Sequence, residues 1–171
     1  MLCHYLSPHL ILCPSTATTK HEVIETLTHA LAERHHLKHE RKILQAILAR
    51  EEVGSTFLPI GVAIPHARYK EVEEIKMVMG ILPTGLVEDA EGIADPIHIV
   101  ALFISPAAEE NFGRHLKLLA RIGAIFRSRA IVEETAAAPD AETAFRLLQR
   151  FEREAEELQS QAQRDQYQEH A

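Results

Sequence analysis

The chain has 171 residues, 46% of them apolar and 25% charged, with a formal net charge of −7. That is the size of one ordinary domain with enough apolar content for a real core. The acidic balance argues against a nucleic-acid-binding surface, and no apolar run approaches the roughly 20 residues that span a bilayer.

In chain order, "MLCHYLSPHLILCPST" carries an apolar stretch with no basic leader, broken by Pro8 and His9. It reads as folded chain rather than a signal peptide. Cys3 and Cys13 make neither a disulfide framework nor a CxxC metal site, and a reducing cytoplasm is the simplest inference. Residues 9–13, "HLILC", predict a short strand closed by Pro14 and a Ser/Thr-rich turn. Thr19, with Glu22 three residues on, forms a capping-box pattern. The helix it opens places Val23, Ile24, Leu27, Ala30 and Leu31 on one buried face.

Residues 39–52 predict a second amphipathic helix ended at Gly54. "GSTFLPIG" (54–61) reads as loop, and Val62, Ala63 and Ile64 as a short buried strand ended by Pro65. Residues 75–83 and 96–105 are near-continuous apolar runs, the pattern of strands covered on both faces. Between them Glu88, Asp89 and Glu91 read as an exposed hairpin. Residues 106–126 begin with an acidic turn and become helical, with Leu116, Leu119, Ile122, Ala124 and Ile125 inward. A last helix is predicted over 139–163, capped by Asp140 or a neighbour. The alternation predicts one α/β domain, a mixed and mostly parallel sheet with helices on both faces.

Chemistry centres on the histidines, of which there are eleven. His35, His36 and His39 have spacing that a zinc site uses, but no HExxH pattern or third ligand accompanies them. They read as a solvated turn, and no metal is expected. His98 reads as a hydrogen-bonded core residue. His66 differs: it follows a rigid strand–proline unit, in loop rather than on an apolar stripe, near Arg68 and Lys70. Such placement suits a group that meets a partner's reactive atom in line, and imidazole is largely neutral and nucleophilic near pH 7. A histidine that merely caps a strand fits the spacing equally well. Arg68 and Lys70 read as a solvated edge or as a greeting for an acidic partner.

"ILAREEVGST…GVAIPHAR" (47–68), followed about fifty residues later by "HLKLLARIGAIF" (115–126), resembles the enzyme IIA domain of the fructose/mannitol class of the phosphoenolpyruvate-dependent sugar phosphotransferase system. The nitrogen-regulatory enzyme IIA proteins belong to the same family, and the likeness runs to about residue 150. The resemblance implies that His66 accepts a phosphoryl group from HPr or an HPr-like carrier, with His115 as the second histidine beside it. It implies Arg50 as the active-site arginine and Ser55 and Thr56 as the Ser/Thr loop position. No cofactor is implied. The onward acceptor is expected on a separate IIB-type domain or regulated target, with no direct membrane insertion.

Two departures bear on this. "FLPIG" stands where the family loop is richer in glycine, and these bulkier residues are expected to stiffen the loop and alter carrier specificity. Beyond the enzyme IIA-like region (1–150), residues 151–171 form a helical extension. Its seam of Ala144, Leu148, Phe151, Ala155, Leu158 and Ala162 is too short for a stable coiled coil, so docking on its own domain and then fraying is expected. The sequence leaves three readings open: a sugar-pathway phosphocarrier, a regulatory enzyme IIA, and a non-transferring module that binds a transporter or kinase.

Overall fold

Amphipathic helices pack on both faces of one mixed sheet, as the alternation of apolar runs and 3.6-residue periodicity requires. The computed structural model describes residues 1–13, 17–87 and 96–169, with side chains through 165. Pro14 with the turn at 14–16, the acidic residues Glu88, Asp89 and Glu91, and His170 lie outside the described residues. The strands are β1 (Ile11–Leu12), β2 (Phe57–Leu58), β3 (Val62–Ala63), β4 (His66–Tyr69), β5 (Lys76–Leu86) and β6 (Ile97–Pro106). The helices are α1 (Lys20–Arg34), α2 (Glu40–Val53), α3 (Phe112–Ile125), α4 (Arg129–Ala136) and α5 (Ala141–Glu169).

The sheet order is β1-β5-β6-β3-β2, with β4 also paired to β6. β1–β5, β3–β6 and β4–β6 are parallel. The long β5–β6 ladder and the short β2–β3 ladder are antiparallel. Strand alternation divides the core in two. Met77, Met79, Ile81, Ile99 and Phe103 face α3, α4 and α5, where they meet Leu118, Ile122, Val132 and Leu148. Val78, Leu82, Val100 and Leu102 face α1 and α2 and meet Val23, Leu27, Leu31, Ile43 and Ile47.

The capping box is formed: the Glu22 amide donates to Thr19 Oγ1 at 3.2 Å, and the Thr19 amide donates to Glu22 at 3.2 Å. Asp140 caps α5 by accepting from the Thr143 amide at 2.7 Å.

Four readings are corrected. The 54–61 loop contains β2, because Phe57 is buried and Gly61, at φ 87°, closes a tight hairpin onto β3. His66 is not in loop: the strand resumes after Pro65 as β4, with His66 opposite Phe103 of β6. In α3 the inward residues are His115, Leu118, Ile122 and Ile125, whereas Leu116 is exposed. Helix α4 lies where no element was expected.

The seam of α5 docks through Ala144, Leu148, Phe151 and Ala155, and then leaves Leu158 exposed. The helix runs to Glu169; its Glu, Gln, Arg and Ala residues are strong helix formers. Glu152 is fully buried and accepts from the backbone amides of Leu2 and Cys3, so α5 holds the amino-terminal 3-10 turn Leu2–His4.

Candidate functional site

The interruption between β3 and β4 builds the site. Pro65 has no N–H to donate, so the ladder to β6 breaks there, although its carbonyl still accepts from the Phe103 amide at 3.1 Å. The Ile64 carbonyl instead accepts from His66 Nδ1 at 2.6 Å. A carbonyl oxygen can only accept, so Nδ1 carries the ring's proton and Nε2 keeps its lone pair. The ring stacks on Phe103, with centroids 5.3 Å apart and planes at 11°. It is 6% exposed.

His115, in the first turn of α3, meets His66 edge-on with centroids 5.1 Å apart. Its Nδ1 lies 2.7 Å from the hydroxyl of Ser105, the buried penultimate residue of β6. Phe112, one turn earlier, stacks on His115 at 6.2 Å. Arg68 lies over the Phe112 ring at 5.1 Å and donates to the carbonyls of Ala107 and Ala108.

Electrostatics favour neutral imidazoles. Burial pushes the His66 pKa below the usual histidine value, and the Arg50 cation adds to this, against the Ile64 carbonyl and the Glu51 carboxylate. His115 is pushed down to about 4, by burial first and then by His66, Arg68 and Arg50. Arg50 sits in the last turn of α2, half-buried, and its Nη1 donates to the Gly54 carbonyl at 3.1 Å.

Ser55 and Thr56 part company. Ser55 is exposed, and its Oγ accepts from the Phe57 amide at 3.3 Å. The Thr56 hydroxyl is buried and donates to Glu51, whose carboxylate also pairs with the Lys20 ammonium at 3.3 Å. Phe57 packs in the core beneath α1 and α2, and Leu58 packs against the opposite core, so these two turn inward while Pro59 stays exposed.

Sequence reasoning missed Glu51, Phe103 and Ser105. A serine inside an otherwise apolar buried run, "ALFIS", was the one available signal for Ser105. The other histidines lie elsewhere. His35 Nε2 is 3.0 Å from the Met77 carbonyl, and His39 faces Glu71 at 3.7 Å. Half-buried His98 places Nδ1 2.9 Å from the Leu82 carbonyl, in keeping with a structural role. Among the described residues no three His, Cys, Asp or Glu side chains converge as metal ligands.

Comparison with known proteins bears on the family and the fold. A nitrogen regulatory protein of Bradyrhizobium diazoefficiens is 30% identical over 144 residues, covering 84% of this chain and 91% of that protein. The nitrogen regulatory protein IIA-Ntr of Neisseria meningitidis shares the fold with a TM-score of 0.76 at 24% identity, covering 86% of this chain and 98% of that one. The mannitol IIA of Escherichia coli shares it with a TM-score of 0.69 at 22% identity, covering 84% and 98%. Among the described residues no helix is long and apolar enough to cross a membrane. Residues 4–151 match the family described as "Phosphoenolpyruvate-dependent sugar phosphotransferase system, EIIA 2", and the chain belongs to that family of phosphotransferase-system components with phosphocarrier and regulatory roles.

Proposed function

We propose that this chain accepts a phosphoryl group on His66 Nε2 from an HPr-like carrier in the cytoplasm. It then passes the group to a separate IIB-type domain or uses it as a regulatory signal. The hydrogen bond from His66 Nδ1 to the Ile64 carbonyl carries the reading, because it leaves Nε2 unprotonated beside His115 and Arg50. In transfer, the Nε2 lone pair forms the new P–N bond while the donor's P–N bond breaks and its electron pair stays on the donor imidazole. His66 retains its Nδ1 proton, so the phosphorylated ring is cationic and the Ile64 carbonyl stabilises that N–H. Departure of the phosphoryl group restores a neutral imidazole, a good leaving group. Arg50 matches the incoming anion by charge and by its planar fork. With Ser105 donating to His115 Nδ1, His115 holds its proton on Nε2 as a further donor. The chemistry is chiefly positioning and charge compensation.

The nitrogen regulatory relative favours signalling over sugar uptake as the use of the phosphoryl group. A non-transferring binding module is the second reading, favoured by the low exposure of the His66 ring, 6%. Incubation with phosphoenolpyruvate, enzyme I and an HPr-like carrier separates the two. The expected result is an acid-labile mass gain of one phosphoryl group, lost in His66→Ala. No gain from a competent cognate carrier selects the binding module, and a labelled His66→Ala overturns the site.

A further inference from the structure

We propose a second binding site, for a small organic phosphate such as a nucleoside diphosphate, between α3, α5 and the amino-terminal turn. Arg114, Lys117 and Arg121 recur at i, i+3 and i+7 on α3 and line a cavity of about 350 Å3 with Tyr5, Leu118 and Gln159. Like charges at these spacings repel along a helix, and here they gather in a chain whose net charge is −7. No carboxylate of the described residues lines the cavity.

Arg114 and Lys117 are exposed and make no hydrogen bond or ion pair with another described side chain. Arg121 is held from behind: its Nη2 pairs with Glu156 at 3.2 Å and its Nε lies 3.8 Å from Glu152. Its Nη1 is buried with no acceptor. Glu152 and Glu156 therefore orient one guanidinium, while Lys117 and Arg114 stand free of ion pairs on this side and Arg114 borders a neighbouring cavity lined by Glu73 and Glu74 on the other.

Three cations around one small cavity match a ligand that concentrates several negative charges in one group. A phosphate or diphosphate does so, whereas carboxylates spread them, and two arginines offer planar forks to its oxygens. The volume falls at the small end of ligand pockets, about 300–1,000 Å3. It leaves room for an organic body against Tyr5 and Leu118. The concavity favours a small molecule over a nucleic-acid backbone, which asks for an extended basic stripe.

Isothermal titration of the full chain with ADP at low ionic strength tests this. Citrate, adenosine and a short DNA duplex serve as parallel arms. Saturable one-site binding of ADP, weakened by added salt and absent with adenosine, is expected. Arg114→Gln combined with Lys117→Gln weakens it at least tenfold, and the single Lys117→Glu weakens it in the same direction, with unchanged circular dichroism spectra. Failure to bind ADP, undiminished binding by both variants, citrate binding as tight as ADP, or binding of the duplex alone overturns the proposal.

Discussion

His66 and His115 each have one ring nitrogen committed, to the Ile64 carbonyl and to the Ser105 hydroxyl. Both rings resist protonation, which gives stability a definite pH dependence. An unfolded histidine takes up its proton near 6.5, whereas folded His115 takes one only near 4. Unfolding therefore binds protons between these values. For His115 the stabilisation is complete above pH 6.5 and is lost as pH falls towards 4, by at most about 1.4 kcal/mol per pH unit, and His66 acts in the same direction. Urea midpoints should fall across that window, less steeply in His115→Asn. Arg50 tests the proposed phosphoryl site rather than the fold: Arg50→Ala should keep the urea midpoint and slow transfer by roughly tenfold to a thousandfold. An unchanged rate removes Arg50 from the site.

The elements show what local sequence encodes. Thr19 and Glu22 announced α1 because a capping box is a short-range contact, and the two long strands announced themselves by continuous burial. Strand β3 was legible as a short apolar run ended by Pro65, whereas β2, two residues long, is too short for any period and was read as loop. The turn between them makes a prediction. Gly61 has φ 87°, and a Cβ there would stand 2.9 Å from the Pro96 carbonyl oxygen. Gly61→Ala should cost about 1–3 kcal/mol in a denaturant melt through backbone strain. In α3 the apolar residues 116, 118, 119, 122, 124 and 125 fit two helical registers. The register seen is the one that turns His115 to Ser105, a contact between separate elements that periodicity does not contain. Helix α4 was missed because it is only eight residues long and Ile131 stands where the Glu or Gln of a capping box would mark its start. The histidine pair was legible only through the family resemblance, while Phe103 and Ser105 follow from the strand register opposite β4.

For the whole molecule, the boundary placed at 150 falls inside a continuous helix whose next turn is structural. Phe151 and Ala155 are buried, and Glu152 receives the amides of Leu2 and Cys3. Burial beside that carboxylate also pushes the Cys3 thiol up to about 12. Truncation after residue 150 should therefore lower stability by at least about 3–5 kcal/mol, the cost of losing one buried Phe side chain. Truncation after residue 157, where Leu158 is already 51% exposed, should change it by no more than about 1 kcal/mol. Urea denaturation of the two shortened chains measures both.

The same clasp of α5 on the first residues gives the fold a late-closing order during vectorial synthesis. Leu2 and Cys3 precede the carboxylate that receives their amides by 150 and 149 positions, so this contact closes only once the last helix has been made.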